Sequence, residues 1–426
     1  MYLFLISILI IIYAVIAWKN LRLAIFLFFA CLPTYLLRLE ILNVPTTFLE
    51  MMIGVLTVVW LIQIIRGTNN KDQKFLVSTG KWFLPFSLLL AAGIIGVIIA
   101  PDKITALGIL KAYIVEPILF FVVVRTSLKW YNDGETALKF LGFGALTVAG
   151  FAIYQHLTNS AIPIPWDVEN RTTSFFPYPN AIGLFLGPIA VLALKFIGSS
   201  VARKYYFLAW FWIIVFGTSV TAMFFSQTEA AWIAVPVTAL IFGFLNKRTR
   251  PLSTLLIIGG IVTVCLLPNF QDKILLRDYS GGVRLKQWEE TTAMLKDSWL
   301  FGAGLSGYQT ALAPYHTHEE IEIFQYPHNI VLNIWSELGL LGLVAFIAFL
   351  WTAVWSIKKS WQQKSSQFWI TAATTMTLVE MLIHGLVDVP FFKNDLAMLT
   401  AGLLAILAWS ATGPYAHQDI GETTEE

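Results

Sequence analysis

His328 and Asn329 stand at the head of a long apolar run, "PHNIVLNIWSELGLLGLVAF". A neutral imidazole in such a place is a candidate general base, taking a proton at one ring nitrogen while a partner fixes the other. Further on, Asn329, Asn333 and Glu337 recur at a spacing of four, with Ser336 beside them. Helix residues four apart share a face, so a polar stripe roughly 12 Å long runs into apolar sequence. Near the carboxyl end, Glu380, His384 and Asp388 in "VEMLIHGLVDVPFF" repeat that spacing. They are expected on one face of one helix. Three more segments carry isolated polar groups: "NRTTSFFPYPNAIG" with Arg171 and Asn180, "FSQTEAAW" with Gln227 and Glu229, and "GGVRLKQW" with Arg284.

Each of these residues also has a structural reading. A histidine at a helix end serves as a hydrogen-bonder, Asp388 could cap or pair with Lys393, and Arg284 could reach lipid headgroups. Lys111 and Glu116 in "GILKAYIVEPILFF" are five apart, so they are not expected to share a face. "HTHEE" from His316 offers metal-ligand types on what reads as a flexible loop. "GAGLSG" from Gly302 matches G-x-G-x-x-G formally, but no strand precedes it, which removes the dinucleotide context. No Gly-Lys-Ser/Thr phosphate loop is present.

The elements that must position these residues are membrane helices. Of the 426 residues, 57% are hydrophobic and only 13% charged, against about 25% charged in a soluble domain. Apolar blocks such as "YLFLISILIIIYAVIAW", "WFLPFSLLLAAGIIGVIIA" and "LSTLLIIGGIVTVCLLP" approach the roughly 20 residues that cross a bilayer. The fold class expected is an all-α polytopic transmembrane bundle of about 12–13 spans, a single membrane domain over 1–426. Candidate spans begin near Tyr2, Leu21, Thr46, Trp82, Ile104, Ala137, Tyr178, Tyr205, Thr228, Leu252, His328, Phe368 and Leu396. The second of these carries Pro33 and is the weakest. The first reads as a span rather than a removable signal, since no basic residue precedes it. Cys31 and Cys265 both sit in apolar runs and read as small buried hydrophobes. A net charge of +2 gives no basic footprint for nucleic acid.

Lys and Arg crowd the odd-numbered connections, including Lys19, Arg22, Arg66, Lys71, Lys74, Lys81, Arg203, Lys204 and Lys364. The short even-numbered ones hold only Arg38, Lys103, Arg171 and Lys393. The positive-inside rule then places the amino terminus outside and the acidic tail, 413–426, in the cytoplasm. A long connection over 269–327 falls outside. Within it Leu285, Trp288, Thr292, Leu295 and Trp299 recur at helical spacing, fitting either a helix on the membrane surface or one packed on the rest of the loop. This topology gathers Arg171, Asn180, Glu229, Arg284, His328, His384 and Asp388 at one face, lining a cavity open to the outside and to lipid.

Over roughly Arg171 to the last span, the chain resembles the O-antigen ligase and O-antigen polymerase superfamily. "YPHNIVLNIWSELGLLGLVAF" is similar to its His-Asn, Glu-x-Gly-x-x-Gly signature, and "GGVRLKQWEETTAMLKDSWLFGAGLSGYQ" to its Arg, Trp, Gly-x-Gly block. "RTTSFFPYPNAIGLFL" and "HGLVDVPFFKND" resemble its Pro-Asn and late His/Asp segments. The resemblance implies an inverting, metal-independent glycosyltransferase without a cofactor. Its donor would be a glycan on undecaprenyl pyrophosphate, and its acceptor a glycolipid or a growing glycan, met at the outer face of the cytoplasmic membrane. His328 would act on the acceptor hydroxyl, Arg284 would bind pyrophosphate and Asn329 would orient neighbouring groups. Arg171, Asn180, Glu229, His384 and Asp388 would line the substrates, and the aromatics Trp166, Tyr178, Tyr308 and Tyr326 could line a sugar path. One position departs from the pattern: where the family carries an arginine after Ser/Thr, this chain has Glu229. A repeat-unit polymerase remains open at this point, as does a transporter or flippase for a lipid-linked glycan. The latter would favour tandem repeats, and none is evident between the two halves.

Overall fold

The computed structural model describes residues 2–41, 44–67, 80–130, 132–363 and 367–412. The acidic tail over 413–426, with Lys71, Lys74 and Lys364, lies outside the described residues. The helices in chain order are α1 (Tyr2–Lys19), α2 (Leu21–Ala30), α3 (Phe48–Ile65), α4 (Gly80–Ile99), α5 (Lys103–Ser127), α6 (Asp133–Thr158), α7 (Asn180–Ala202) and α8 (Tyr206–Phe225). There follow α9 (Glu229–Leu245), α10 (Arg250–Leu266), α11 (Pro268–Ile274), α12 (Tyr279–Asp297), α13 (Tyr308–Leu312), α14 (Ile330–Gln362), α15 (Phe368–His384) and α16 (Asn394–Thr412). The described strands form one short hairpin, with Arg38–Ile41 antiparallel to Val44–Thr47.

The protein is an all-α polytopic membrane protein. Among the described residues, seven helices are long and apolar enough to cross a bilayer, or eight if one bent pair counts as a span, and five shorter apolar helices accompany them. Every expected span start falls within four residues of a helix start. The core lies around α7, whose membrane window is 78% buried where its neighbours reach about half or less. It packs against α6, α8, α9 and α15. Lipid-facing helices instead leave large side chains outward, such as Phe207, Ile258 and Trp351.

The weak second span has a physical form. Helix α2 stops at Ala30, and Leu32–Leu36 continues as a 3-10 turn with Pro33 in its first positions, where a missing N–H costs no helical bond. At the start of this stretch Arg22 meets Asp133 at 3.3 Å. At its end the Tyr35 ring lies 5.4 Å from Lys393. These contacts tie it to opposite ends of the bundle. One end collects the basic side chains, where Glu135 receives Arg203 and Lys139, each at 3.2 Å. The other holds Glu50, Lys393 and His328.

Three expectations are corrected. Lys111 and Glu116 do share a face, 3.5 Å apart, because Leu110–Val115 is a π-helical turn that widens α5 locally. Both gather with Glu50, which also accepts from Asn394. The late polar triplet does not ride one helix: α15 ends at His384, and Asp388 belongs to the turns before α16. Finally, Cys31 is half-buried and Cys265 exposed, where both are expected to be buried. Of the two readings of the long loop's helix the structure selects one: α12 turns 102° from the line of α10. It buries Gln287, Glu290, Thr291, Met294 and Leu295 and leaves Leu285 and, just past its end, Trp299 exposed. Met294 and Leu295 pack with Tyr308 and Leu312, so α12 is a helix packed on its own loop.

Candidate functional site

The long loop is locked to the bundle by the helix it precedes. Helix α14 breaks at Gly339, whose φ of 65° and ψ of −164° are outside helical geometry. Freed backbone groups at a break need new partners, and the loop supplies them. Leu340 N–H donates to Leu300 O at 2.9 Å, and Ser336 O accepts from Ala303 N–H at 2.6 Å. Glu337 Oε2 accepts from Ser306 N–H at 2.6 Å. On the other side Leu305 N–H donates to Gly96 O of α4 at 3.1 Å. Gly302 and Gly304, at φ of 68° and 79°, make the tight turns that fit this loop into the break. The "GAGLSG" stretch is therefore a structural plug. The polar stripe along α14 faces the interior of the protein: Asn333, Ser336 and Glu337 are all buried.

Above that plug sits the His-Asn turn. Asn329 caps α14, its Oδ1 accepting from Val331 N–H at 3.0 Å and Leu332 N–H at 3.1 Å. Its amide donates to Leu386 O at 2.9 Å, and Ile330 N–H donates to Gly385 O at 2.7 Å. The turn is thereby clamped onto the segment that follows α15. His328 adopts φ 46°, a left-handed conformation that costs a non-glycine residue about 1–3 kcal/mol. This geometry aims its ring at Asp388, with Nδ1 3.2 Å from Oδ1. Asp388 Oδ1 also accepts from Val389 N–H at 2.8 Å.

Burial alone would raise the Asp388 carboxyl. The hydrogen bond and charge of His328, with help from His384 and Val389 N–H, outweigh that and hold it at about 2. An ionised carboxylate can only accept, so His328 Nδ1 carries a hydrogen, and whenever the imidazole is neutral its lone pair lies on Nε2. The imidazole side chain is 19% exposed while Asp388 is 2% exposed. The imidazole is thus reachable and its partner is sealed. The rings of Tyr326 and Phe324 stand 4.8 Å and 5.3 Å from the imidazole.

Arg284 reaches the same segment from α12, its Nε donating to Val387 O at 2.9 Å. Its Nη1 donates to Ser280 Oγ at 2.5 Å. Neighbouring bonds fix α12 in place: Trp288 Nε1 donates to Pro327 O at 2.7 Å and Gln287 Nε2 to Tyr326 O at 3.2 Å. Residues 385–388 are therefore the common dock for His328, Asn329 and Arg284. His384 sits just beneath, 1% exposed, with Nδ1 3.4 Å from Glu380 Oε1.

Arg171 and Glu229 occupy an adjoining region. Arg171 Nε donates to Ser226 O at 3.3 Å and its guanidinium lies 5.1 Å from the Trp166 ring. Burial lowers the Arg171 guanidinium somewhat, against the charges of Glu169 and Glu229. Glu229 forms an ion pair with Lys273 of α11, so its charge is met within the fold. The two regions touch through Tyr178 and Tyr326, whose hydroxyls are 3.4 Å apart. Asn180 opens α7 next to this bridge. Two expected sugar-path aromatics separate: Tyr326 lies at the site, while Tyr308 is fully buried, its hydroxyl 2.6 Å from Thr291.

The "HTHEE" histidines serve the loop. Glu290 holds His316 Nδ1 at 3.1 Å and accepts from the N–H groups of Thr317 and His318. Burial would raise its carboxyl, yet these bonds hold it below the usual range. Among the described residues no group of His, Cys, Asp or Glu is arranged to hold a metal ion. Lys393 escaped the sequence reading of the site. Its position in "FFKND" places it on an end poor in cations, but only the fold brings it to Tyr178.

These features define a polytopic helical membrane protein with a histidine–carboxylate pair and arginine at one end of the bundle. A family model described as O-antigen ligase matches residues 214–347, which supports the O-antigen ligase/polymerase superfamily and a glycosyltransferase-like enzyme. The match includes Glu229, Arg284, His328 and Asn329 and stops before His384 and Asp388. An uncharacterised protein of Haemophilus influenzae is 23% identical over 219 residues, covering 43% of this chain and 53% of its own. The chain thus spans about half the length of that curated relative.

Proposed function

We propose that the protein transfers a glycan from undecaprenyl pyrophosphate to an acceptor hydroxyl at the outer face of the cytoplasmic membrane. The observation that carries this reading is the His328–Asp388 pair, with Arg284 docked on the same short segment. His328 Nε2 takes the proton of the acceptor hydroxyl as its oxygen attacks the anomeric carbon. The bond from that carbon to the pyrophosphate oxygen breaks, and its electron pair leaves with the pyrophosphate. Arg284 meets the charge developing there, while Asp388 stabilises the imidazolium. Attack opposite the leaving group inverts the anomeric centre. The chemistry proposed draws on these side chains alone.

An apolar groove supports a lipid-linked donor. It runs between α4, α5, α14, α15 and α16, and its wall includes Ile330 and Pro390, each two residues beyond a member of the dyad. A polyprenyl chain lying there would carry its pyrophosphate to His328 and Arg284. The outward sidedness rests on the basic residues gathered at the opposite end. Arg171 and Asn180 would line the far side of the glycan path, and His384 would support Asp388 from below. A general base has no evident task in a flippase, so transfer is favoured over transport.

Reconstitution tests the reading. Purified protein in liposomes, given undecaprenyl-pyrophosphate-linked glycan and candidate acceptors, should release undecaprenyl pyrophosphate and form a glycosylated acceptor. A lengthened glycan on the same lipid would mark a polymerase, and a glycan on a different lipid a ligase. Movement of intact donor across the bilayer with no transfer would overturn the proposal.

A further inference from the structure

Lys393 ends the segment on which the dyad and Arg284 dock. Its ammonium lies 4.8 Å from the Tyr178 ring centroid, 5.1 Å from Phe176 and 5.4 Å from Tyr35. These rings come from the 3-10 turn after α2 and the loop before α7, so three separate parts of the chain converge on one charge. Asp388 is committed to His328, and the buried Asp395, two residues on, feels the Lys393 charge without bonding its nitrogen. Among the described residues no ion pair or hydrogen bond engages the Lys393 nitrogen. An ammonium has three N–H donors, and aromatic faces satisfy its charge without accepting a conventional hydrogen bond. The group is half-buried, held in place, and left with donors to spare.

Its surroundings point toward the dyad. The Tyr178 hydroxyl is 3.4 Å from that of Tyr326, and the Tyr326 ring is 4.8 Å from the His328 ring. Lys393, Tyr178, Tyr326 and His328 thus form a continuous wall, with Arg284 entering at Val387 on the same segment. A pyrophosphate leaving group carries charge on both phosphates, and one arginine whose Nε is already spent on a carbonyl covers part of it. Glu229, where the related family places an arginine, adds no positive charge.

We propose that Lys393 is the second cationic contact for the donor's pyrophosphate, presented by its aromatic cage. The proposal rests on the donor chemistry of the preceding subsection. A caged, partly desolvated ammonium acts as a fixed point charge for phosphate, and the cage removes the rotamer entropy that a free lysine would lose on binding.

Binding measured without turnover tests it. Undecaprenyl pyrophosphate and undecaprenol are titrated separately into the purified protein in detergent, following tryptophan fluorescence. The wild-type protein should prefer the pyrophosphate, and Lys393→Gln should reduce that preference about tenfold, the scale of one charged hydrogen bond. Lys393→Arg should retain most of it. Tyr178→Leu, which opens the cage and leaves the lysine, should give an intermediate loss. If Lys393→Gln fails to fold, the Tyr178→Leu and Lys393→Arg results decide. An undiminished preference in Lys393→Gln, or in Tyr178→Leu where only that variant folds, overturns the assignment of Lys393 and leaves the transferase reading intact. If the wild-type protein itself shows no preference for the pyrophosphate, the transferase reading falls with it.

Discussion

His328 Nδ1 lies 3.2 Å from Asp388 Oδ1 across a sequence separation of 60 residues. The contact joins the N-terminal cap of α14 to the turns after α15, and the Asn329 side-chain amide and Ile330 N–H hold the two segments together by donating to Leu386 O and Gly385 O. If His328 is the base, His328→Ala should lower transfer by at least about 10²-fold while membrane insertion is retained. Asp388→Asn keeps the shape but lets the imidazole take the wrong tautomer, so a loss of similar order is expected. Single-turnover rates at saturating donor check both, and wild-type rates in either variant would remove the dyad from the chemistry.

The same pair makes the fold acid-sensitive. The Asp388 carboxyl is depressed from 3.8 to about 2 in the folded protein. Its stabilising contribution is therefore fully present above about pH 4 and is lost as pH falls through about 2. The loss amounts to roughly 2 kcal/mol. Thermal midpoints of Asp388→Asn and wild-type protein in detergent should differ at pH 6 and converge as pH falls toward 2. A constant difference across that range would contradict the ionised pair.

Arg284 offers a discrimination between charge and geometry. Its Nε is fixed on Val387 O, so the guanidinium is aimed before any donor arrives. Lysine keeps the charge and loses the fork. Arg284→Lys should impair transfer several-fold and Arg284→Ala by about 10² or more, chiefly through donor dependence. Titration of donor with acceptor saturating measures this. Unchanged donor dependence in Arg284→Ala would make the arginine a clamp on α12 and leave Arg171 as the next candidate.

The helices were legible because hydropathy in blocks is a local signal, and each expected span start lies close to a helix start. His328, Asn329 and Arg284 were legible through motif and topology together. Periodicity misled where backbone geometry departs from the ideal helix. The π turn in α5 brought Lys111 to Glu116, and the end of α15 moved Asp388 off its helix. Lys393 was invisible as a site residue because its cage is assembled from Tyr35, Phe176 and Tyr178, which only tertiary packing brings together.

Sidedness has a direct test. Lys204 follows α7 at the basic end, and Asp297 ends α12 at the end that holds His328. Reporter fusions after Lys204 and after Asp297 should report the cytoplasm and the outside respectively. Two cytoplasmic reports would remove the outward-facing site.

The last prediction concerns the plug that carries the site. Gly339 has a φ of 65° with ψ −164°, a region essentially reserved for glycine. A methyl group there would meet Leu300 O at 2.4 Å and the Phe301 backbone at 2.8 Å. Both are main-chain atoms that cannot swing aside, and Leu300 O is the acceptor for Leu340 N–H. Gly339→Ala should therefore push the loop out of the break in α14 and leave backbone groups unpaired within the bundle. The conformational term alone costs about 1–3 kcal/mol, and the clash adds to it. Gly259→Ala is the matched control, since a Cβ there meets nothing within 4 Å and alanine is the better helix former. Folded yield and thermal midpoint in detergent should fall in Gly339→Ala and hold or rise in Gly259→Ala. Because α12 hangs on the same loop, any Gly339→Ala protein that does fold should also bind donor poorly through a displaced Arg284. Equal stability and donor binding in the two variants would show that the loop does not depend on the break.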